Sequence, residues 1–501
     1  MSDSADRYAD WKAPQEDGAV LLWPEPARLL TDAAANNRLL NSSESLVQNV
    51  RLSELRREAR RFLNVFDDSQ LVFATGHQTE LHHPGVWAKN AMIDVAATKT
   101  GGFAAHFAVD TDAPKHLAIR FPGFSELFTD DPAAMDAPWS GLVAPPTPAH
   151  LQDLIDRVST AAKEWSFKPT IGEFFSIVRP LQLEAENLPA LLARSLHTLD
   201  WKLGLRYSVM LASPIWQSPA YLAFAHHLLS RADHFAADYN AALREYRRRH
   251  GIRTPGRPMP ELAVKEDRCE TPLWRDDLTR GRRVRAWVER SGNRWAISAG
   301  EHKLELDPAA SFETAVNTLQ SWLRRNNLRL APRALTLTMV LRLLVADQFV
   351  HGIGGGQYDQ VTDDVIRRHF GVEPPRFAVT TATLFWPAAV GRKRTSLPDI
   401  LQRGHRLKHS LLGDAKRELV KEIESAPRKS AQRQAIFMEM RKRLDAAAAN
   451  HAAIANWDNE LREASTRIVE ERAIFDRELF YAIQPRDRLN NLIAAYRMRM
   501  A

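Results

Sequence analysis

The residues of this chain best suited to chemistry gather in one stretch, Leu71 to His116. His77, Gln78, His82 and His83 fall within seven positions, directly after the short apolar run Leu71 to Ala74. All four side chains donate hydrogen bonds. Pro84 follows where a helix would start, since a proline's missing N–H is no loss in a first helical turn. Free N–H groups at such a start favour an anion, either a phosphate or a carboxylate. Lys89 lies about one and a half turns further on, within reach of the same place, and Asn90 stands next to it. Gly76 and Gly85 would let backbone approach closely. The structural alternative is a plain Pro84-Gly85 turn with surface histidines.

Acids end the next apolar run, Ala105 to Val109. Asp110 and Asp112 flank Thr111 there. Such a pair suits a metal, a ribose or an amino group, and helix capping before Ala113-Pro114 is the alternative. Lys115 and His116 would then point back towards the site. A second stretch holds Gly352, Gly354, Gly355 and Gly356, with Asp347-Gln348 before them and Gln357, Tyr358 and Asp359 behind. Backbone N–H groups of such a run can cradle phosphate. The run lacks the Gly-Lys-Ser/Thr ending of a P-loop and fits Gly-x-Gly-x-x-Gly poorly. It reads as a wall of the ligand site or as a plain turn between helices. His77, His82 or His83, His106, Asp110, Asp112 and His116 include ligand types for zinc or manganese. No helical His-x-x-x-His pair occurs among them, and we assign no metal ligands.

The elements that must position these residues form a strand, a loop, a helix and a strand. Trp87, Ala91 and Val95 give the helix an apolar face, and Gly101-Gly102 ends it. In open parallel sheets ligands bind at the edge where such loops emerge. Before this unit, residues 1–24 read as a loose lead-in, and Pro26 to about Phe66 as helix. After it, 121–148 reads as a surface loop, 148–203 as two or three helices, Tyr207–Leu211 as a strand and Pro219–Arg249 as one long helix. Residues 255–307 turn to β character, with a hairpin at Ser291-Gly292-Asn293. Leu335–Val350 reads as mostly helical, and Phe377–Trp386 as a strand. From Pro398 to Tyr496 only helices are expected, with a heptad-like seam of Ile454, Trp457, Leu461, Ala464, Ile468 and Phe475. Pro427 would separate the arms of a hairpin.

At 501 residues the chain is long enough for two or three domains. We expect an N-terminal helical part (1–66), a catalytic domain (67–397) and a helical tail (398–501). No apolar run is long enough for a membrane span, and the polar N-terminus is unlike a signal peptide. The one cysteine, Cys269, forms no internal disulfide, so a reducing cytoplasm is expected. It has no neighbouring His to make it a nucleophile. A net charge of +7 is spread over helices that also carry acids, without the aromatic-plus-basic stripe of a nucleic-acid binder.

In several ordered stretches the sequence resembles the bacillithiol biosynthesis cysteine-adding enzymes, a family described as cysteine ligases. LVFATGHQTELHHPGVWAKNAM is similar to that family's strand, Thr-Gly-Gln-Gln loop and Lys-bearing helix. HFAVDTDAPKH takes the place of its acidic strand end. FAADYNAALREYRRRHGI, KEDRCETPLWRDD and HGIGGGQYDQVTDDVIRRHFGVEPPRFAV resemble further segments in the same order. The resemblance covers about 70 to 390 and marks a divergent relative. His77-Gln78 stands for Gln-Gln, Val109 to Ala113 for Ser-Glu-Asp-His-Asp, and Gly354-Gly355-Gly356-Gln357 for Gly-Pro-Gly-Glu. It implies an α/β, Rossmann-like parallel sheet of nucleotidylyltransferase kind, a C-terminal helical coiled coil used for dimerisation, and ligation of cysteine to a glucosaminyl-malate. It also implies a pocket lined by Gly76, His77, Gln78 and Lys89, with Gly354 to Gln357 opposite.

The reading that results is an ATP- and Mg²⁺-using ligase, cytoplasmic and homodimeric through its tail. His83, Lys89, Asp110 and Asp112 would be its catalytic residues. Gly76, His77, Gln78, His82, Asn90, Lys115, His116 and the Gly354–Asp359 stretch would bind nucleotide or substrate. Lys89 and a histidine would steady growing charge, and Asp110 or Asp112 would hold an amine or Mg²⁺. A metal-dependent hydrolase on the same cleft, or a non-catalytic dimeric binding protein, are the alternatives.

Overall fold

The structure, a computed structural model, describes residues 11–64 and 70–501. The first ten residues of the lead-in, and Val65 and Phe66 at the end of the expected helical stretch, lie outside the described residues. The chain forms two compact units. One comprises residues 1–120, 124–384 and 477–501, the other 121–123 and 385–476.

The larger unit is an α/β protein. Its strands are β1 (Val20–Trp23), β2 (Val72–Gln78), β3 (Phe103–Val109), β4 (Ser208–Leu211), β5 (Arg268–Asp277), β6 (Arg282–Ser291), β7 (Arg294–Ala299), β8 (His302–Leu306), β9 (Leu328–Pro332), β10 (Gln348–His351) and β11 (Phe377–Ala382). Six of them form one sheet in the order β1-β11-β10-β2-β3-β4. Every neighbouring pair is parallel except the edge pair β1 and β11. The other five form an antiparallel sheet, β8-β7-β6-β5-β9. Its β6–β7 turn is the expected hairpin at Gly292, which takes a positive φ of 58°.

The helices of this unit are α1 (Pro26–Asn41), α2 (Leu52–Leu63), α3 (Pro84–Thr100), α4 (Pro148–Ala162), α5 (Ile171–Leu181), α6 (Leu188–Lys202), α7 (Pro219–Ser230), α8 (Ala232–Arg249), α9 (Phe312–Arg325), α10 (Ala334–Leu344) and α11 (Ile353–Val365). The second unit holds α12 (Leu397–Ser410), α13 (Gly413–Ser425), α14 (Ala431–Ala448) and α15 (Ala452–Ile474). The last helix, α16 (Arg486–Met500), returns to the larger unit and packs on α3. Among the described residues no helix is long and apolar enough to cross a membrane.

Several expectations are corrected. The strand expected at Leu71–Ala74 continues to Gln78, because pairing with β3 carries it past Gly76. His77 and Gln78 are therefore strand residues. Helix α3 has no exposed face over most of its length. Pro84 to Ala97 are all buried, since the sheet lies against it and α16 packs on it. Lys89 and Asn90 are thus interior residues. The stretch 124–148 is no plain surface loop, for Phe128, Trp139 and Val143 are buried in it. Pro219–Arg249 is two helices, broken where Arg231 takes φ −126° and ψ 34°. Leu335–Val350 contains β10, whose four residues are all buried. A short strand buried on both faces shows no alternation to tell it from helix.

In the second unit α12 packs against α15, and α13 against α14. Trp457 fits over Gly404, where a Cβ would lie 2.0 Å from its ring. Its indole N–H donates to the Ile400 carbonyl at 2.8 Å. The seam is thus covered from within the unit. The break at Pro427 separates α13 from α14 as expected.

The sheet is pinned at its N-terminal edge. The Asp347 carboxylate, fully buried, meets the buried guanidiniums of Arg56 and Arg60 on α2 and accepts from Val72 N at the start of β2. Replacing Asp347 by Ala strands two buried cations. We expect a loss of about 3–5 kcal/mol, read as a lower midpoint in denaturant unfolding. Replacing half-buried Glu58, whose partner on the same helix is the exposed Arg61, should change little.

Candidate functional site

From β2 the chain builds outward through β3 to β4. From β10, on the other side of β2, it builds to β11. The connections leave the β2/β10 pair in opposite directions, and such a pair opens a crevice at its C-terminal ends. Thr75 lies beside Val350 in register, so Gly76, His77 and Gln78 stand at this edge with His351 as neighbour.

Lys89, 3% exposed, reaches back from α3, and its ammonium donates to the Gly76 carbonyl at 2.9 Å. Burial pushes the Lys89 ammonium down to about 7, against the pull of the Glu80 carboxylate. Burial likewise pushes Glu80 up to about 8, opposed by Lys89 and Lys115. Glu80 lies 3.3 Å from His77 Nδ1. His82 is buried against His77 and His106, with ring centroids 5.5 and 5.6 Å away. Burial, with Lys89 nearby, pushes His82 down to about 3, so it is neutral. Thr79 Oγ1, Glu80 Oε2 and His82 Nδ1 are buried without any hydrogen-bond partner. This arrangement can offer a donor and acceptors to a ligand in water-poor surroundings.

The loop that follows does not offer what was expected of it. His83 is the N-cap of α3, and its Nδ1 accepts from Gly85 N at 3.1 Å. Its carbonyl accepts from Val86 N and Trp87 N, each at 3.0 Å. The start of α3 therefore has no N–H to spare for an anion. Gly85 serves packing, since a Cβ there would lie 2.6 Å from Thr381 Oγ1.

The other expected residues divide. Asn90 is tied into a buried network with His106, Asp200 and Tyr207. Asp110 caps the turn after β4, accepting from Ser213 N at 2.8 Å and from the Ser213 hydroxyl. Burial raises it all the same. Asp112 accepts from Gln78 Nε2 and from Ala113 N, and lines a cavity of about 200 Å³. No helix opens at Ala113. Lys115 and His116 are exposed. Cys269 is fully buried, and burial pushes its thiol up to about 12, which excludes a nucleophile. Among the described residues no group of three or more His, Cys, Asp or Glu side chains is placed to hold a metal ion. The hydrolase alternative has no ligand set there.

The glycine run lies inside the first turn of α11 rather than in a turn before it, with Gly352 as N-cap and no side chain capping it. Gly355 fits against the His351 ring and Gly356 against Val379 and Trp11. A Cβ on Gly354 would meet nothing, so that position faces open space. Gln357 is half-buried and Tyr358 exposed. Asp359 is a structural residue, buried between Arg342, His351 and Thr338. Burial would raise it, but Arg342 and His351 outweigh that and hold it well below the usual carboxylate range.

Glu80, Thr79 and His351 were not among the expected site residues. Glu80 stands three positions after His77, inside the donor-rich stretch. An eye on donors alone passes over a carboxylate. Thr79 and His351 carry no spacing signal.

No protein-family model matches the sequence, and no curated protein matches it.

Lysine titration followed by NMR of ¹³Cε-labelled protein should show one lysine with a midpoint near 7, absent in Lys89→Met. In Glu80→Gln that midpoint should fall further, because the lost carboxylate favours the ammonium. A Lys89 that titrates with the surface lysines would refute the assignment.

Proposed function

We propose that the chain is an ATP-using ligase of the kind its sequence resembles, forming a carbon–nitrogen bond between an amino acid and a small acceptor. In that family the amino acid is cysteine and the product a precursor of bacillithiol. On this reading the large sheet is Rossmann-like and related to nucleotidylyltransferases. In its support, the five parallel strands follow the order 3-2-1-4-5 when numbered along the chain, the order of dinucleotide-binding sheets.

The observation that carries the reading is the set of partnerless buried atoms at Thr79, Glu80 and His82 beside Lys89. Each such atom costs about 1–3 kcal/mol. A bound ligand is one source of the missing bonds, and here three such atoms gather in Thr79, Glu80 and His82. The nucleotide phosphates would rest on the first turn of α11, whose Ile353, Gly354 and Gly355 N–H groups find no acceptor among the described residues. Lys89 of α3, bonded to the Gly76 carbonyl at the end of the neighbouring β2, would steady charge on the transferred group. His82 and Glu80 would hold or move a proton. Asp112 would receive the acceptor's amine. The carboxylates at this edge do not make a Mg²⁺ site. Asp110 is committed to Ser213, Asp112 is partly engaged by Gln78 and Ala113, and Glu80 is pushed towards its protonated form. Any Mg²⁺ would come with the phosphates.

Calorimetric titration of ATP, with and without Mg²⁺, tests this. Lys89→Met should weaken binding about tenfold or more, as loss of a charged hydrogen bond does. Lys99→Ala should not, since Lys99 lies at the far end of α3 and donates to the Ala501 carbonyl. Gly354→Ala should raise the melting temperature slightly, because alanine favours helix, yet weaken ATP binding by filling the space the phosphate needs. Wild type that binds no nucleotide would leave the binding-protein alternative standing.

Dimerisation through the second unit belongs to the same proposal. Its seam is already covered by α12, so a second chain would instead cover the exposed Leu401, Phe437, Met438 and Val469. Light scattering should give a dimer for the full chain, and a weaker one for the double variant Phe437→Ser/Met438→Ser. A monomeric wild type removes this part.

A further inference from the structure

A separate cavity of about 200 Å³ lies beyond the end of β3, bounded by Asp112 on one side and by the start of α10 and the ends of β5 and β9 on the other. Helix α10 begins at Ala334 with Arg333 as N-cap, no side chain capping it and no acid in its first turn. The N–H groups of Ala334, Leu335 and Thr336 find no acceptor among the described residues. The first bond made inside the helix is Leu337 N to the Arg333 carbonyl, at 2.8 Å.

Two hydroxyl side chains line the same cavity and are equally unengaged. Tyr239 is 5% exposed and Thr336 is 1% exposed. Among the described residues neither hydroxyl has a hydrogen-bond partner, whereas the buried Tyr207, Tyr221 and Tyr481 hydroxyls all do. Burial pushes the Tyr239 phenol up to about 12, so it keeps its proton and is a donor. Arg333 adds a guanidinium, held over Trp274 and paired with Glu270 at 2.7 Å. Glu270 also faces Arg285 at 3.3 Å, so its charge is countered twice. Pro272, Pro332 and Met259 add carbon walls, and Thr111, whose hydroxyl accepts from Trp216 Nε1, also lines the cavity.

We propose that this cavity binds the acid group of a small organic anion, a carboxylate or a phosphate, on the N-terminus of α10 with the Tyr239 and Thr336 hydroxyls as further donors. Oriented N–H groups at a helix start favour such a group. Asp112, across the cavity, accepts a hydrogen bond and prefers a hydroxyl or an amine at the ligand's other end. Asp112 is itself bonded to Gln78 at the end of β2, which links the cavity to the Lys89 cluster. The cavity is the size of a three- or four-carbon acid rather than of a nucleotide. This cavity shares Asp112 with the acceptor position proposed above, but no residue of the α11 turn takes part in it, so its test does not depend on nucleotide binding.

Binding of three probes distinguishes the ligand chemistry. These are lactate (a hydroxy acid), alanine (an amino acid) and glycerol 3-phosphate, each titrated by calorimetry against the full-length protein. At least one should bind wild type at millimolar concentration, and the ranking tells carboxylate from phosphate and hydroxyl from amine. Tyr239→Phe and Thr336→Val should each weaken the bound probe about five- to tenfold. Ala334→Pro should do the same, since it removes one N–H at a position where proline suits the helix. The melting temperature of all three variants should stay near that of wild type. Gly354→Ala should leave probe binding unchanged, which separates this site from the one proposed for ATP. Wild type that binds none of the probes, or probe binding indifferent to all three cavity variants, overturns the proposal.

Discussion

One carboxylate sets the geometry on which the site depends. Asp347 immediately precedes β10, and its backbone N–H donates to the Val72 carbonyl while its side chain accepts from Val72 N. The same residue engages Arg56 and Arg60 of α2, and its carbonyl accepts from Asn36 of α1. Two strands and two helices thus meet at one buried charge. Such an ion pair is a weak source of net stability, because desolvation offsets its attraction. Its value here is register. A strand rises about 3.3 Å per residue, so fixing the starts of β2 and β10 fixes how far each projects at the other edge. His351 and Gly76 come level there as a result.

At that other edge burial acts on charges that lack such complete pairing. Asp347 has two guanidiniums and several N–H donors. Glu80 has only a His77 contact at 3.3 Å and an unengaged second oxygen. Lys89 has one carbonyl. With so little compensation, desolvation governs both groups and moves them towards their neutral forms. The contrast is one of supply. The N-terminal edge pairs its charge, and the C-terminal edge leaves its charged groups short of partners. Burial that brings Lys89 down to about 7 and Glu80 up to about 8 puts both in the range suited to proton transfer.

The legible part of this fold was the part written in local signals. Pro84 after a strand, Gly101 with a positive φ at a helix end, Gly371 likewise, and the Gly292 hairpin are each decided within a few residues. The strand–helix–strand unit and the location of Lys89 near its edge followed from them. What escaped depends on distant partners. β10 is four buried residues whose identity as a strand comes from β2 and β11 on either side. From sequence, Lys89 and Asn90 are site residues on a helix with one apolar face. They are interior because Lys89 turns back onto Gly76 of β2 and Asn90 meets His106, Asp200 and Tyr207. Asp110 and Asp112 looked like a matched pair, yet the chain turns at 110–112 directly after β3, which leaves Asp110 bonded to Ser213 and Asp112 at a cavity.

Helix starts show the same limit most sharply. α3, α10 and α11 all begin at or near the C-terminal ends of strands, and from sequence the first was the obvious anion site because histidines precede it. In the folded chain a histidine closes it. Once His83 turns its ring onto Gly85 N and its carbonyl onto Val86 N and Trp87 N, the donors of that turn are spent. α10 and α11 begin after Arg333 and Gly352, and neither side chain can turn back to accept from the N–H groups. Residues that seem poorest for capping a helix therefore leave its start most available. The donor-rich stretch at His77 to His83 supplies strand-end and buried side chains, and of these three helix starts it is α10 and α11 that keep N–H groups unspent.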